Sequence, residues 1–294
     1  MIKDLHVHTQ FCDGSGTPDE IVQAAIAKGI DVIGFSGHGH MPFDEEVCMS
    51  IAGTEEYEKA VRDVADKYAD KIRVLCGVEQ DYYSDLPTDR WDYVIGSAHY
   101  VEIPLADFTE PCCEKTVESA GEDEPGETGV RIEAAEIAAN CEVSGAFAYP
   151  AVDDTPEKFE YAIEKFFGGD VYAFAEKYFE VEADVVRKTG ADIIGHFDLI
   201  SKFNAGGEYG DKGKYFDESH PRYIAAWQKA ADALLETGAL FEINYGGINR
   251  GLRTEPYPSK PIREYLEARG AKFINSSDSH TPDTLACWLD RSGK

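Results

Sequence analysis

The sequence is short of basic residues: 28 Lys plus Arg stand against 56 Asp plus Glu, a formal net charge of -28. A surface this acidic repels phosphate backbones and anionic lipids, which argues against a general nucleic-acid or membrane-surface binder. Long apolar runs are missing as well, so no segment approaches the roughly 18 residues of a spanning helix. The opening residues, MIKDLHVHTQF, lack the basic flank and apolar stretch of a secretory signal, and the expectation is a cytoplasmic protein. Seven cysteines, an odd number without regular spacing, make no disulfide framework. The adjacent Cys112 and Cys113 have no second pair with which to form a zinc site, so reduced thiols are expected.

What is present is enough apolar residue, 43% of 294, to bury a full core. Seven short apolar runs read as strands: Ile2 to His8, Asp31 to Ser36, Arg73 to Glu79, Tyr93 to His99, Asp192 to Phe197, Ala239 to Asn244 and Lys272 to Ser277. Most are nearly continuous, as in strands buried on both faces. Stretches of helical period lie between them, at Glu55 to Tyr68, Pro156 to Phe167, Val171 to Lys188, Pro221 to Thr237 and Pro261 to Arg269. Thr17-Pro18-Asp19-Glu20 opens another as a capping box that Gly29 closes, and Thr155 and Ser259 are candidate caps. The alternation predicts an α/β fold around a parallel sheet, in a single domain spanning 1–294. Leu105 to Phe147 breaks the rhythm and reads as a surface insertion, acidic over Glu118 to Glu127, with one helix at Gly129 to Asn140.

Histidines and acids gather at the strand ends. The first run carries His6 and His8, two apart and so on one face, with Asp13 just beyond. The second ends at His38 and His40, the third at Glu79, the fourth at His99, the fifth at His196 and Asp198, and the seventh at Asp278 and His280. In a parallel barrel those C-terminal ends meet at one mouth. His40 lies slightly beyond a strand end, and His220, before Pro221, reads as a capping or surface residue. Imidazoles mixed with carboxylates suit zinc, iron or manganese. Six histidines with Asp13, Glu79 and Asp278 are too many for one ion, and a bridging carboxylate would allow two or three.

These residues resemble the PHP (polymerase and histidinol phosphatase) family, and within it the histidinol-phosphate phosphatase branch. The resemblance rests on Asp4-Leu5-His6-Val7-His8-Thr9 with Cys12-Asp13-Gly14, on Gly34-Phe35-Ser36-Gly37-His38, Gly77-Val78-Glu79, Gly96-Ser97-Ala98-His99, Ile194-Gly195-His196-Phe197-Asp198-Leu199-Ile200, Glu242-Ile243-Asn244, Tyr257-Pro258-Ser259 and Ser277-Asp278-Ser279-His280. It implies a distorted, TIM-barrel-like, seven-stranded (β/α) barrel with a trinuclear site. By that resemblance one metal takes His6, His8, Glu79 and Asp278, a second Glu79, His99 and His196, and a third Asp13, His38 and His280. The family usually has an acid where this chain has Gly37, which leaves the partner of His38 missing or replaced by His40.

The chemistry implied is phosphomonoester hydrolysis, with a metal-bound hydroxide rather than a side chain as nucleophile and with Glu79 and Asp278 holding the ions that generate it. Phosphate also needs cationic side chains, and Arg250, Arg253 and Lys202 are the candidates, with Asn244 as a further site residue whose alternative is a hydrogen bond closing its strand. The expected substrate is the small phosphate ester L-histidinol phosphate, a step of histidine biosynthesis. Another PHP substrate, a nucleotide or phosphotyrosine, and a non-catalytic metal-binding module are the alternatives. Metal identity and oligomeric state stay open.

Overall fold

All seven apolar runs become strands in the computed structural model, which describes residues 1–108 and 134–290. In chain order the strands are β1 (Lys3–Asp4), β2 (Val32–Phe35), β3 (Arg73–Cys76), β4 (Val78–Asp81), β5 (Val94–Ser97), β6 (Ile103–Pro104), β7 (Glu142–Ser144), β8 (Phe147–Tyr149), β9 (Ile193–Ile194), β10 (Leu240–Asn244) and β11 (Phe273–Ser276). The helices are α1 (Pro18–Ala27), α2 (Ile51–Lys67), α3 (Ala134–Asn140), α4 (Pro156–Phe166), α5 (Val171–Glu182), α6 (Val185–Thr189), α7 (Pro221–Leu235), α8 (Gly246–Asn249) and α9 (Lys260–Ala268).

The ladders do not form the single closed circle expected. Among the described residues the core strands pair in parallel as two sheets, β1-β2-β3 and β11-β10-β9-β5-β4. Single parallel bridges, Val7 with Ser279 beyond β1 and β11 and His38 beyond β2 with Glu79 in β4, connect the two sheets. The physical reason lies at Gly77, which splits the third run so that β3 pairs with β2 while β4 pairs with β5. A Cβ at Gly77 would lie 2.5 Å from the Tyr93 ring, so only glycine lets that ring pass. Tyr93 fills the joint and donates its hydroxyl to the carbonyls of Leu5 at 2.5 Å and Phe35 at 2.9 Å.

The helical caps follow the expected logic with some corrections. Thr17 and Glu20 make the capping box, and Thr155 accepts from the Lys158 amide. The second helix begins at Ile51, earlier than its periodicity suggested, because Ser50 caps it through Gly53. The run from Val171 to Lys188 is two helices, α5 and α6, separated at Ala183 and Asp184. Ser259 stands at the N-cap of α9 but makes no side-chain cap; its amide instead donates to Asp198 Oδ2 at 2.9 Å. His220 does cap α7, accepting from the Arg222 amide, and stacks on Tyr172 at 3.9 Å. The acidic stretch Glu118 to Glu127 lies outside the described residues, as do Cys112 and Cys113. The described flanks of the 105–147 segment supply α3 and a small antiparallel sheet in the order β6-β8-β7. Among the described residues no helix is long and apolar enough to cross a membrane.

Candidate metal centre

The C-terminal ends of the parallel strands deliver their polar side chains to one place, and Glu79 is its hub. Glu79 follows the sheet-switching Gly77 and is buried, with every near partner a histidine or Ser97. Its Oε2 lies 3.1 Å from His6 Nε2, 3.5 Å from His8 Nε2 and 3.2 Å from His38 Nδ1. Its Oε1 lies 3.0 Å from His196 Nε2 and 3.5 Å from His99 Nε2, and accepts from Ser97 Oγ at 2.7 Å. Asp278 reaches His8 Nε2 at 3.2 Å and His6 Nε2 at 3.7 Å through Oδ1. Asp13 lies 3.2 Å from His8 Nδ1, 3.0 Å from His280 Nε2 and 3.8 Å from His38 Nε2. All nine candidate ligands from the sequence therefore stand together.

Three groups bring ligand atoms within 4.8 Å of one another: His6, His8 and Glu79; His38, Glu79 and His99; and His8, Asp13, His38 and His280. The grouping differs in detail from the carried-over partition, since His8 and His38 each stand between two groups. Asp278 achieves its position with a left-handed backbone, φ 48°, a conformation that costs a non-glycine residue energy and that asparagine and aspartate bear best. Gly246 makes room for it, since a Cβ there would lie 2.5 Å from Asp278 Oδ2.

The electrostatics are dominated by buried carboxylates seeking positive charge. Burial would raise the pKa of Glu79 and of Asp278, but the imidazoles around Glu79, and His6 and Arg250 beside Asp278, hold both well below the usual carboxylate range. Burial would lower His6, yet Glu242, Glu79 and Asp278 raise it well above its ordinary value. His99 is held up to about 10 because Asp81 and Glu79 outweigh burial. His38 goes the other way, down to about 4, because burial exceeds the pull of Glu79 and Asp13.

Several supporting residues are given no role by the sequence. Glu242 accepts from His6 Nδ1 at 2.6 Å, and Asp81 lies 3.1 Å from His99 Nδ1 while also accepting from its amide at 2.9 Å. Their signals were available: Asp81 lies two residues after Glu79 on the same strand face, and Glu242 is a lone acid inside an apolar strand. Asp153 was silent in the sequence, being a loop residue whose partner, Lys202, is 49 positions away.

A cavity of about 380 Å³ opens over the cluster, lined near it by Arg250, Lys202 and Asp153 and farther out by Asp44, Glu46, Tyr100, Glu142 and Tyr149. Arg250 Nη2 lies 3.3 Å from Asp278 Oδ2, and Lys202 Nζ donates to the Asp153 carbonyl at 2.5 Å. Arg253 departs from expectation. It does not line this cavity but is buried, donating to Ser201 Oγ at 2.7 Å and stacking 3.8 Å over Tyr257. Asn244 is also absent from the lining; its buried amide donates to Glu242 Oε2 at 2.9 Å and Asp278 Oδ2 at 3.3 Å, and its Oδ1 accepts from the Gly246 amide. His40 does not replace an acid at Gly37: its Nδ1 faces the Met49 carbonyl at 3.2 Å.

A protein named "Probable histidinol-phosphatase" from Deinococcus radiodurans is 26% identical over 293 residues, covering 95% of this chain and 86% of that protein. One of the same name from Schizosaccharomyces pombe is 24% identical over 318 residues, covering 98% and 86%. In fold the chain is similar to the Listeria monocytogenes protein hisK, with a TM-score of 0.70 at 18% identity over 98% of this chain and 99% of the other. It is also similar to a Lactococcus lactis histidinol phosphate phosphatase crystallised with zinc, L-histidinol and phosphate, with a TM-score of 0.60 at 19% identity over 98% and 89%. The PHP domain model matches residues 4–183, which hold His6, His8, Asp13, His38, Glu79 and His99 of the cluster, and the chain belongs to the PHP domain family.

Proposed function

We propose that this protein is a metal-dependent phosphomonoesterase that hydrolyses L-histidinol phosphate to L-histidinol and phosphate. The observation that carries the reading is the convergence of His6, His8, Asp13, His38, Glu79, His99, His196, Asp278 and His280 at the floor of one cavity whose wall holds Arg250 and Lys202. The donor set fits divalent cations. His8 Nε2 is buried between Glu79 and Asp278 without a properly directed hydrogen bond, so its electron pair is available to an ion. Glu79, Asp278, Glu242 and Asp81 are buried against these rings with Asp13 at the exposed rim, and this concentration of carboxylates favours bound cations.

Under this reading His6, His8, Glu79 and Asp278 hold one ion, Glu79, His99 and His196 a second, and Asp13, His38 and His280 a third, with zinc, iron and manganese all compatible. Ions held by these residues would supply an activated water for attack on phosphorus and positive charge for the phosphoryl oxygens. Arg250 and Lys202 line the same cavity and would offer a guanidinium and an ammonium to the phosphate oxygens. Asp44, Glu46 and Glu142, with the Tyr100 and Tyr149 rings, give the outer cavity a character suited to the amine and imidazole of the substrate. The names of both curated relatives, and the L-histidinol and phosphate held by the Lactococcus protein, support this choice.

The same reading treats the two bridged sheets as a distorted seven-stranded barrel forming one domain, with 105–147 as a surface insertion. It places the protein in the cytoplasm, in keeping with Cys12, Cys48, Cys76 and Cys141, which form no disulfide. The test is phosphate release from histidinol phosphate beside nucleotide, sugar and aryl phosphates, with protein of measured metal content. Preference for histidinol phosphate supports the assignment. Metal-dependent activity spread over the panel keeps the chemistry and replaces the substrate, while bound metal without turnover leaves a binding module.

A further inference from the structure

Strand β10 supplies no member of the close ligand groups, yet its inward side chains touch ligand residues on three other strands. Glu242 and Asn244, two apart and so on one face, are both buried. Glu242 Oε1 accepts from His6 Nδ1 at 2.6 Å and from Ser276 Oγ, and its Oε2 accepts from the His196 amide and from Asn244 Nδ2, each at 2.9 Å. Asn244 Nδ2 also reaches Asp278 Oδ2 at 3.3 Å. His6 follows β1, His196 follows β9 and Asp278 follows β11, so the pair spans the sheet in both directions. We propose that Glu242 and Asn244 are positioning residues that set the register of His6, His196 and Asp278 for metal binding. The inference rests on the reading of the cluster as a metal centre.

Hydrogen-bond chemistry explains why an acid stands at 242. A carboxylate has about four acceptor sites, and four donors converge on this one. Because an ionised carboxylate only accepts, His6 carries a proton on Nδ1, and Nε2, which faces Glu79 and Asp278, is the nitrogen left to a metal ion. A glutamine would turn its NH2 toward either the His6 and Ser276 donors or the His196 and Asn244 donors, whichever way it flips. One pair must then separate, and a ligand residue moves in either case. Ser276 donates to the same carboxylate but belongs to no ligand group, so S276A disturbs the carboxylate's surroundings without releasing a ligand.

The experiment measures zinc affinity of the full chain by competition with a chromophoric chelator, and records the absorption spectrum of the cobalt-loaded protein. E242Q is expected to bind at least one equivalent about 10–100-fold more weakly and to alter the cobalt spectrum. E242D, which keeps both acceptors, recovers part of the loss; N244A weakens binding less than E242Q, and S276A stays near wild type. Wild-type affinity in E242Q, or equal losses in E242Q and S276A, would overturn the proposal and leave the carboxylate a purely structural role. Should E242Q fail to fold, N244A against S276A decides the matter in the same way. A wild-type chain that binds no zinc or cobalt refutes the metal-centre reading itself, an outcome separate from any difference among variants.

Discussion

Glu182, the last residue of α5, offers a quantitative test of buried charge in this fold. Its side chain is buried and neither carboxylate oxygen has a hydrogen-bond partner among the described residues. Burial raises its pKa well above the ordinary value, with Asp81 and Asp198 adding to the shift and His99 opposing it. The folded state therefore keeps a proton that the unfolded chain releases above a pKa of 4.5. Stability falls as pH rises from that point, by up to about 1.4 kcal/mol per pH unit, until the folded carboxyl itself ionises. Replacing the group with a neutral amide removes this slope. E182Q should gain on wild type as pH rises from 5 to 7, up to a ceiling of about 2.5 kcal/mol that is reached when the folded carboxyl stays protonated throughout, whatever constant offset the amide introduces. The assay is urea unfolding of both proteins at half-unit pH steps with the metal content matched. Other titrating groups cancel in the difference, so parallel stability curves would refute the reasoning and show Glu182 ionised in the fold.

Other consequences are equally open to measurement. Glu79→Ala should lose bound metal and activity together, because its two oxygens face His6, His8, His38, His99 and His196; normal turnover would remove its bridging role. Arg250→Ala should raise KM strongly with metal content unchanged, whereas Arg253→Ala should leave KM alone and cost about 3 kcal/mol in denaturant unfolding, from its lost bond to Ser201 and its stacking on Tyr257. The opposite pattern would return the phosphate clamp to Arg253. His220→Ala should lower stability by about 1 kcal/mol through loss of the α7 cap while phosphate release stays normal.

The strands and the gathering of histidines and acids at their ends were legible because both are local signals: a buried parallel strand reads as an apolar run, and the side chain at its end follows directly. Arg253 was not, since its loop doubles back and packs the guanidinium on Tyr257, a contact no spacing announces. The split at Gly77 was hidden for a related reason. Arg73 to Glu79 is one uninterrupted run in sequence, and only the Tyr93 ring, arriving from another strand, makes two strands of it. Asp81 and Glu242 carried readable cues, but a side chain that holds another side chain is defined by its neighbour across the sheet.

The bridge between Val7 and Ser279 also says something about the order of events in biosynthesis. His8 donates its amide to the Ser279 carbonyl at 2.9 Å, and Ser279 returns the bond to the His6 carbonyl at 3.1 Å, so the first and last ligands share one stitch across most of the chain. At about 5–20 residues per second of synthesis, His6 and His8 wait many seconds for Asp278 and His280 to emerge. A growing chain holds at most part of this set of histidines and acids. Completion of the cluster thus waits on β11, and truncations that spare the PHP-matching region but remove β11 and the residues after it would yield a chain with most of the motif and an unfinished cluster.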